Sequence, residues 1–147
     1  MNEDYIDILA TDHAPHTLEE KNQVYTTAPS GGPLVQHALP AIMQKSFEGK
    51  ITLEKMVYKI AHNPAILFQI KDRGYIREGY YADLVVVDPN ALWKVSPENI
   101  LYKCGWSPFE GTSFNAQVTH TFVNGHMAYN NGVFSKERMA KRLTFSR

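Results

Sequence analysis

The hydrophobic pattern of the sequence changes its period once, near residues 70–75, and this change limits the folds available to the chain. Before it, apolar residues recur at helical spacing in the stretches 34–47 and 53–61. After it, short apolar runs of strand length alternate with turn residues. At 147 residues the chain has the size of one ordinary domain. The order of elements, namely one strand, a long loop, helices and then hairpins, predicts a mixed α/β fold.

A buried strand is predicted at the start of the chain. Residues 6–11 (IDILAT) form a mostly apolar run with β-branched residues, and the run ends at a polar cluster. From residue 12 to residue 33 the composition shifts to Pro, Gly, Thr, Ser and charged residues, without a period. This stretch predicts a loop of about twenty residues, and loops of that length tend to be functional or mobile.

Three helical segments are predicted after the loop. The first covers residues 34–47, where Pro40 is expected to kink the helix or to delay its start. Thr52 is a plausible N-cap of the second, which carries an apolar face. Asn63 and Pro64 predict a third, short helix through Phe68, with Asn63 as its N-cap. Core packing explains the apolar faces without any cofactor.

Strands and tight turns are predicted in the second half. Residues 82–88 form one apolar strand, and residues 118–123 alternate as expected of another. Asn124-Gly125 then predicts a type I′ turn into a strand at 127–129. Ser135 predicts the N-cap of a terminal helix whose basic residues form a solvated face.

Composition narrows the class of partner. Lys plus Arg equals Asp plus Glu, at 15 each, so no long-range attraction to nucleic acid or to an anionic membrane is expected. No stretch approaches the roughly 18 apolar residues of a membrane span. Cys104 is the single cysteine, which excludes an internal disulfide and a Cys-rich zinc site and favours a cytoplasmic location.

The densest polar cluster follows the first predicted strand and contains Asp12, His13 and His16. A carboxylate at the end of a buried strand can be held rigidly and aimed into a cleft, as metal ligation and proton transfer both require. His13 and His16 could ligate a metal or bind substrate. The spacing alone leaves open that Asp12 caps a turn and that the histidines are ordinary loop residues.

A second candidate lies in Ser30-Gly31-Gly32-Pro33. Its glycines allow a close approach of backbone N–H groups to a ligand before a predicted helix start, although without further context the pattern favours a flexible turn. The other polar residues of interest lack acidic or histidine neighbours at ligand spacing and are expected to be structural: His37, His62, His120, His126 and Cys104. The loop 104–111 is expected to pack through its aromatic residues.

Taken in order, these motifs resemble the dihydroorotases of the amidohydrolase superfamily. Residues 12–16 and 30–36 are similar to the region of the eighth barrel strand in that family. The resemblance continues, in the family's order, through five further stretches: 63–65, 73–76, 79–84, 104–111 and 121–125. It covers nearly the whole chain.

The resemblance implies roles for four residues. Asp12 matches an aspartate that binds zinc and acts as an acid/base, so Asp12 is both the metal and the catalytic candidate. His16 matches a histidine that contacts the substrate carboxylate, and Ser30 and Gly31 match a loop that touches the same substrate. His16 also distinguishes the chain from dihydropyrimidinases and allantoinases, which usually lack this histidine. The implied reaction is reversible hydrolysis of dihydroorotate to N-carbamoyl-aspartate, with a binuclear Zn²⁺ cofactor.

The implied fold is the C-terminal part of a (β/α)8 barrel, over residues 1–72, plus a small β-sandwich subdomain with a terminal helix, over residues 73–147. A full barrel takes roughly 250 residues, and no His-x-His pair of the family occurs here. The chain alone is therefore expected to be inactive. An unpaired barrel strand would favour homo-oligomers or association through its edge.

Two alternatives remain open at this point. The chain could be a non-catalytic, dihydroorotase-like assembly module. It could also belong to a hydantoinase- or dihydropyrimidinase-like cyclic amidase, which would act on a different small-molecule substrate.

Overall fold

A computed structural model describes residues 1–146, and it contains four α-helices, one π-helical turn and six short strands in that range. The helical elements are α1 Leu18–Lys21, α2 Ala38–Phe47, α3 Leu53–Val57, the π-helical turn Tyr58–His62 and α4 Asn63–Leu67. The strands are β1 Leu84–Asp88, β2 Trp93–Lys94, β3 Ser113–Phe114, β4 Gln117–Val123, β5 His126–Asn130 and β6 Val133–Phe134, and a 3-10 helix covers Pro97–Asn99.

Two predictions about where helices begin agree with the structure, namely the start delayed by Pro40 and the cap at Thr52. Helix α2 begins at Ala38 rather than at residue 34, and Pro40 lies in its first turn, where its missing N–H costs no helical hydrogen bond. Thr52 caps α3 as expected, because its hydroxyl accepts a hydrogen bond from the N–H of Lys55.

The predicted cap at Asn63 is wrong, because the chain remains helical from Leu53 to Leu67. Asn63 has helical backbone angles, and its N–H donates to Tyr58 O across five residues, the spacing of a π-helix. Pro64 supplies the physical reason: it has no N–H, and its ring would clash with the carbonyl of Ile60 in a regular α-helix. The turn before Pro64 therefore contains one extra residue, and the helix continues past the proline.

Four antiparallel strands form a sheet in the order β1-β4-β5-β6. The predicted turn is confirmed, since Asn124 and Gly125 have φ angles of 51° and 84° and join β4 to β5. A second Asn-Gly pair, Asn131-Gly132, joins β5 to β6 in the same way. Strands β2 and β3 form a separate two-stranded ribbon.

The predicted strand at residues 6–11 is wrong for this structure. The segment has no strand partner among residues 1–146, although its sequence is suited to a strand. The N–H of Leu9 donates to Lys59 O, in the helical region, at 2.9 Å. A strand is defined by its backbone ladder, and without a neighbouring strand an apolar run is only an extended segment.

The structure also corrects two predictions about irregular regions. The long loop contains the single-turn helix α1, which a capping box of Thr17 and Glu20 stabilises. The terminal helix after Ser135 is wrong, since no helix forms over residues 135–146. The end of the chain instead pairs with the linker after α4, where the N–H of Lys71 donates to Thr144 O at 2.9 Å.

The buried core lies between the helices and the sheet. Four buried residues form this core: Met43 of α2, Ile51 before α3, Met56 of α3, and Ala116, which directly precedes β4. Val87 of β1 is partly buried against them. Apolar burial of this kind is the main favourable term in folding. No helix within residues 1–146 is both long and apolar enough to cross a membrane.

Candidate active site

Asp12 ends the extended segment and begins the loop. Its side chain is exposed, and its φ angle of 44° lies in the left-handed region, which Asp tolerates better than most residues. The structure therefore places the carboxylate at a sharp change of chain direction after the apolar run. A groove of about 700 Å³ nearby is lined by the N-terminal segment and the helix, including Asp7, Lys59 and Asn63, and not by Asp12.

The segment after Asp12 interlocks with the glycine-rich loop. The N–H of Ala14 donates to Gly32 O at 3.1 Å, and His13 and Gly32 form a parallel bridge. Gly31 has a φ angle of 82°, and a Cβ there would lie 2.7 Å from the Cβ of Ala14. Both the angle and the close approach require glycine at this position. The two predicted candidate stretches therefore lie against one another.

His13 has a structural role in this arrangement. Its Nδ1 accepts hydrogen bonds from the N–H groups of Leu34 and Val35, at 3.1 and 3.4 Å. The ring also lies 5.2 Å from the ring of Tyr102. Because Nδ1 is the acceptor, the neutral ring carries its proton on Nε2. The suggestion that His13 is a ligand gains no support, since one of its nitrogens already holds the loop in place.

His16 is half exposed and is held mainly through its backbone. The indole N–H of Trp106 donates to His16 O at 2.8 Å. The ring nitrogen Nδ1 lies 3.6 Å from a carboxylate oxygen of Glu20, a separation that indicates a weak ion pair when the ring is protonated. Hydrogen bonds from Thr17, with a smaller contribution from His16, lower the pKa of Glu20. The imidazole of His16 is thus available for a ligand while its backbone position is set.

Lys21 closes the loop that carries the candidate substrate contacts. Its ammonium group donates to Pro29 O at 2.6 Å and to Gly31 O at 2.9 Å, on either side of Ser30. Ser30 itself is exposed. Charge-assisted bonds of this kind are among the stronger hydrogen bonds. The loop is therefore held on both sides of Ser30, in the stretch whose backbone is predicted to contact substrate.

His37 is a buried residue that contacts Ser107 in the loop 104–111. It is fully buried, at 0% exposure, and its Nδ1 lies 3.0 Å from Ser107 Oγ and 3.3 Å from Tyr102 Oη. Burial lowers its pKa. The ring also stacks on Trp93 and Phe114. This arrangement is in keeping with the expectation that His37 is structural and that the 104–111 loop is packed.

The described residues do not complete a metal site. Residues 1–146 contain no group of three or more His, Cys, Asp or Glu side chains placed to hold one ion. A catalytic zinc ordinarily takes about three protein ligands and a water. Asp12 could supply one carboxylate. The residues present therefore do not by themselves fit the binuclear centre that the resemblance implies.

The sequence reasoning missed the contact between the extended segment and one face of the helix. Lys55, Lys59 and Asn63 are spaced four residues apart, so they share a helix face. Lys59 and Asn63 donate to backbone oxygens of the segment, and Lys55 and Lys59 both pair with Asp4. The spacing was visible in the sequence, but nothing there indicated which segment this polar face would meet.

The model of the amidohydrolase family matches residues 1–128. The match covers most of the chain, and it includes the extended segment, both loops and the helices.

Three known proteins illustrate the similarity. The chain is 38% identical to a dihydroorotase of Clostridium acetobutylicum over 130 residues, which are 88% of this chain and 30% of that protein. It is 42% identical to a dihydroorotase of Halobacterium salinarum over 106 residues, 72% of this chain and 25% of that one. A D-hydantoinase (dihydropyrimidinase) of Thermus sp. has a similar structure, with a TM-score of 0.85, 26% identity and coverage of 92% of this chain and 31% of the other. The chain thus spans about a third or less of the length of these proteins.

Proposed function

From the premise that the chain belongs to the amidohydrolase family, we propose that it is part of a dihydroorotase. The proposed reaction is the reversible hydrolysis of dihydroorotate to N-carbamoyl-L-aspartate, a step of pyrimidine synthesis, in a cytoplasmic enzyme. The observation that carries the proposal is the identity of 38–42% to two dihydroorotases over most of the chain. The hydantoinase, at 26% identity, is the less similar of the two kinds of relative.

The proposed architecture assigns two parts to the chain. Residues 1–72 would form the C-terminal portion of a (β/α)8 barrel, and residues 73–147 part of a small β-sandwich. The composition of the extended segment 6–11 supports this assignment, because its apolar and β-branched residues are suited to a buried strand. In a barrel, residues at the C-terminal end of a strand reach the active site, and Asp12 follows such a segment directly.

Four residues are proposed to serve this reaction. Asp12 would be a metal ligand and the acid/base, and His16, Ser30 and Gly31 would bind the substrate. The interlocked loops support the grouping, since the backbone bond from Ala14 to Gly32 joins the stretch carrying Asp12 and His16 to the stretch carrying Ser30 and Gly31.

The proposal assigns zinc binding to the complete enzyme and not to this chain alone. The described residues offer Asp12 and no further cluster of ligands, so the remaining ligands of a binuclear centre would lie outside this chain. We therefore expect the 147-residue chain alone to be inactive. Association through the unpaired edge of the extended segment, with a second copy or with the remainder of a barrel, would supply the missing backbone partners.

A chimera tests the proposal. This chain would replace the matching 30% of the C. acetobutylicum dihydroorotase, which supplies the rest of the enzyme. We expect the chimera to hydrolyse dihydroorotate in preference to hydantoin and dihydrouracil. Asp12→Asn should lower kcat by about 10²–10⁴-fold, the range for loss of a general acid/base. Asp7→Asn is the matched control, because it makes the same change on an exposed residue of the same segment.

The alternatives give different results in the same assay. Preference for hydantoin or dihydrouracil would identify a hydantoinase-like amidase. A folded chimera with neither activity, beside an active parent enzyme, would favour the non-catalytic assembly module. Equal loss of activity in Asp12→Asn and Asp7→Asn would contradict the role given to Asp12.

A further inference from the structure

We propose that Lys59 and Asn63 are positioning residues that hold the extended segment on the helix and thereby set the location of Asp12. The inference rests on the proposed function in one respect only, namely that Asp12 serves the reaction.

The contacts form a ladder along that face. Lys55 and Lys59 pair with the carboxylate of Asp4 at 2.6 and 2.8 Å. Lys59 Nζ donates to Ile6 O at 2.5 Å, and Asn63 Nδ2 donates to Asp7 O at 2.7 Å. The helix and the segment therefore run alongside one another, and successive side chains of the helix bind successive positions of the segment.

The burial of Lys59 shows that this contact is not an ordinary surface ion pair. The residue is 1% exposed, and its backbone oxygen also accepts the N–H of Leu9 at 2.9 Å. A buried ammonium group is costly unless it is paired, so its placement here depends on Asp4 and Ile6 O. Hydrogen bonds from Lys55 and Lys59 lower the pKa of Asp4 to about 2, so the carboxylate stays charged even in mildly acidic solution.

The two residues that donate to the backbone of the segment lie at the π-helical turn. Lys59 lies within Tyr58–His62, and Asn63 directly follows it. The turn contains one residue more than an α-helix would, because Pro64 excludes the regular register.

Hydrogen exchange in the 147-residue chain tests the positioning directly. In Lys59→Met, which keeps the apolar stem, we expect the amide of Leu9 to exchange about tenfold faster or more, because the segment loses a charged hydrogen bond. The amide of Met56, which bonds to Thr52 O inside the helix, should exchange at an unchanged rate. Lys55→Met is the matched control: it contacts the same Asp4 but no backbone oxygen of the segment, and Leu9 should remain protected.

A kinetic test in the chimera measures whether the contacts of Lys59 with the segment affect the candidate active site. Lys59→Met should lower kcat about tenfold and leave KM within about twofold, because the loop with His16 and Ser30 is tied separately by Lys21 and Trp106. A residue needed only for stability would lower Tm without changing kcat per folded molecule. Asn63→Leu, which removes the bond to Asp7 O, provides the same two readouts if Lys59→Met does not fold.

The outcomes separate this inference from the proposed function. Unchanged exchange at Leu9 in Lys59→Met and Asn63→Leu, or equal acceleration in Lys55→Met, would overturn the inference. An inactive wild-type chimera would count against the proposed function alone, since the exchange experiment does not depend on activity.

Discussion

The extended segment 6–11 and strand β4 have similar compositions but different environments. Both contain β-branched and apolar residues, and both precede a sharp turn. Strand β4 lies between β1 and β5 and pairs with both, so its backbone groups are satisfied on each side. The segment has no strand beside it among residues 1–146 and is held by side chains of a single helix.

The comparison shows that a strand requires a neighbouring strand to pair with as well as a suitable composition. The sheet obtains its partners locally, because two Asn-Gly turns fold the chain back on itself within a few residues. The segment has no neighbouring strand among residues 1–146 and is fixed there by a few polar contacts. The candidate active site therefore follows the less firmly held of the two regions.

The largest effect is expected at Gly74, which joins the helices to the sheet. A Cβ at this position would lie 2.5 Å from the Cβ of Ala65 and 3.0 Å from Ala61 O, and φ is 84°. Gly74→Ala should lower the free energy of unfolding by about 2–4 kcal/mol, from overpacking and backbone strain together. Gly79→Ala is the control, since φ is 82° there but no atom lies within 4 Å, and it should cost about 1–2 kcal/mol. Urea unfolding of both variants measures the difference, and equal losses would show that the close packing is unimportant.

A smaller effect is expected at the turn that closes the sheet. Asn124 has φ of 51°, accepts a bond from Arg73 Nη2 at 2.6 Å and donates to Met139 O. Asn124→Ala should destabilise the chain by about 2 kcal/mol, because it removes a bond to a charged group and a residue suited to the left-handed region. Asn131→Ala changes the second turn, where the side chain donates to exposed Asn130 and to no other of residues 1–146, and should cost about 1 kcal/mol or less. The same urea titration compares them, and the reverse order would contradict this account.

The smallest expected effect is a pH dependence of the free energy of unfolding that comes from His37. Burial lowers the pKa of His37, so the folded state binds fewer protons than the unfolded state once the pH drops below the ordinary value of about 6.5. The stability from His37 is complete above that value and is lost as the pH falls toward the lowered pKa. Its slope cannot exceed about 1.4 kcal/mol per pH unit, the limit for one proton.

Two variants check the assignment to His37. His37→Phe should flatten the dependence between pH 7 and pH 5, measured by urea unfolding at each pH. Ser107→Ala removes the hydrogen bond at 3.0 Å but keeps the imidazole, so the slope should persist. An unchanged slope in His37→Phe would assign the effect to another group.

Local signals in the sequence were sufficient for some elements of the fold. Thr52 and Asn124-Gly125 were correctly interpreted, because a cap and a type I′ turn depend on residues a few positions apart. Asn63 was misread, since its cap-like sequence lies inside a continuous helix that packs on the core. Ser135 was misread as well: the chain after it pairs with residues near position 70 and forms no helix.

The sequence by itself determined the Asn124-Gly125 turn, the cap at Thr52 and the family to which the chain belongs, because these follow from short motifs and their order. Only the tertiary structure decided that the loops at residues 12–16 and 30–34 interlock and that Lys59 and Asn63 hold the segment before Asp12. Such contacts join residues about 20 to 50 positions apart, and their partners depend on how the helix packs rather than on local preference.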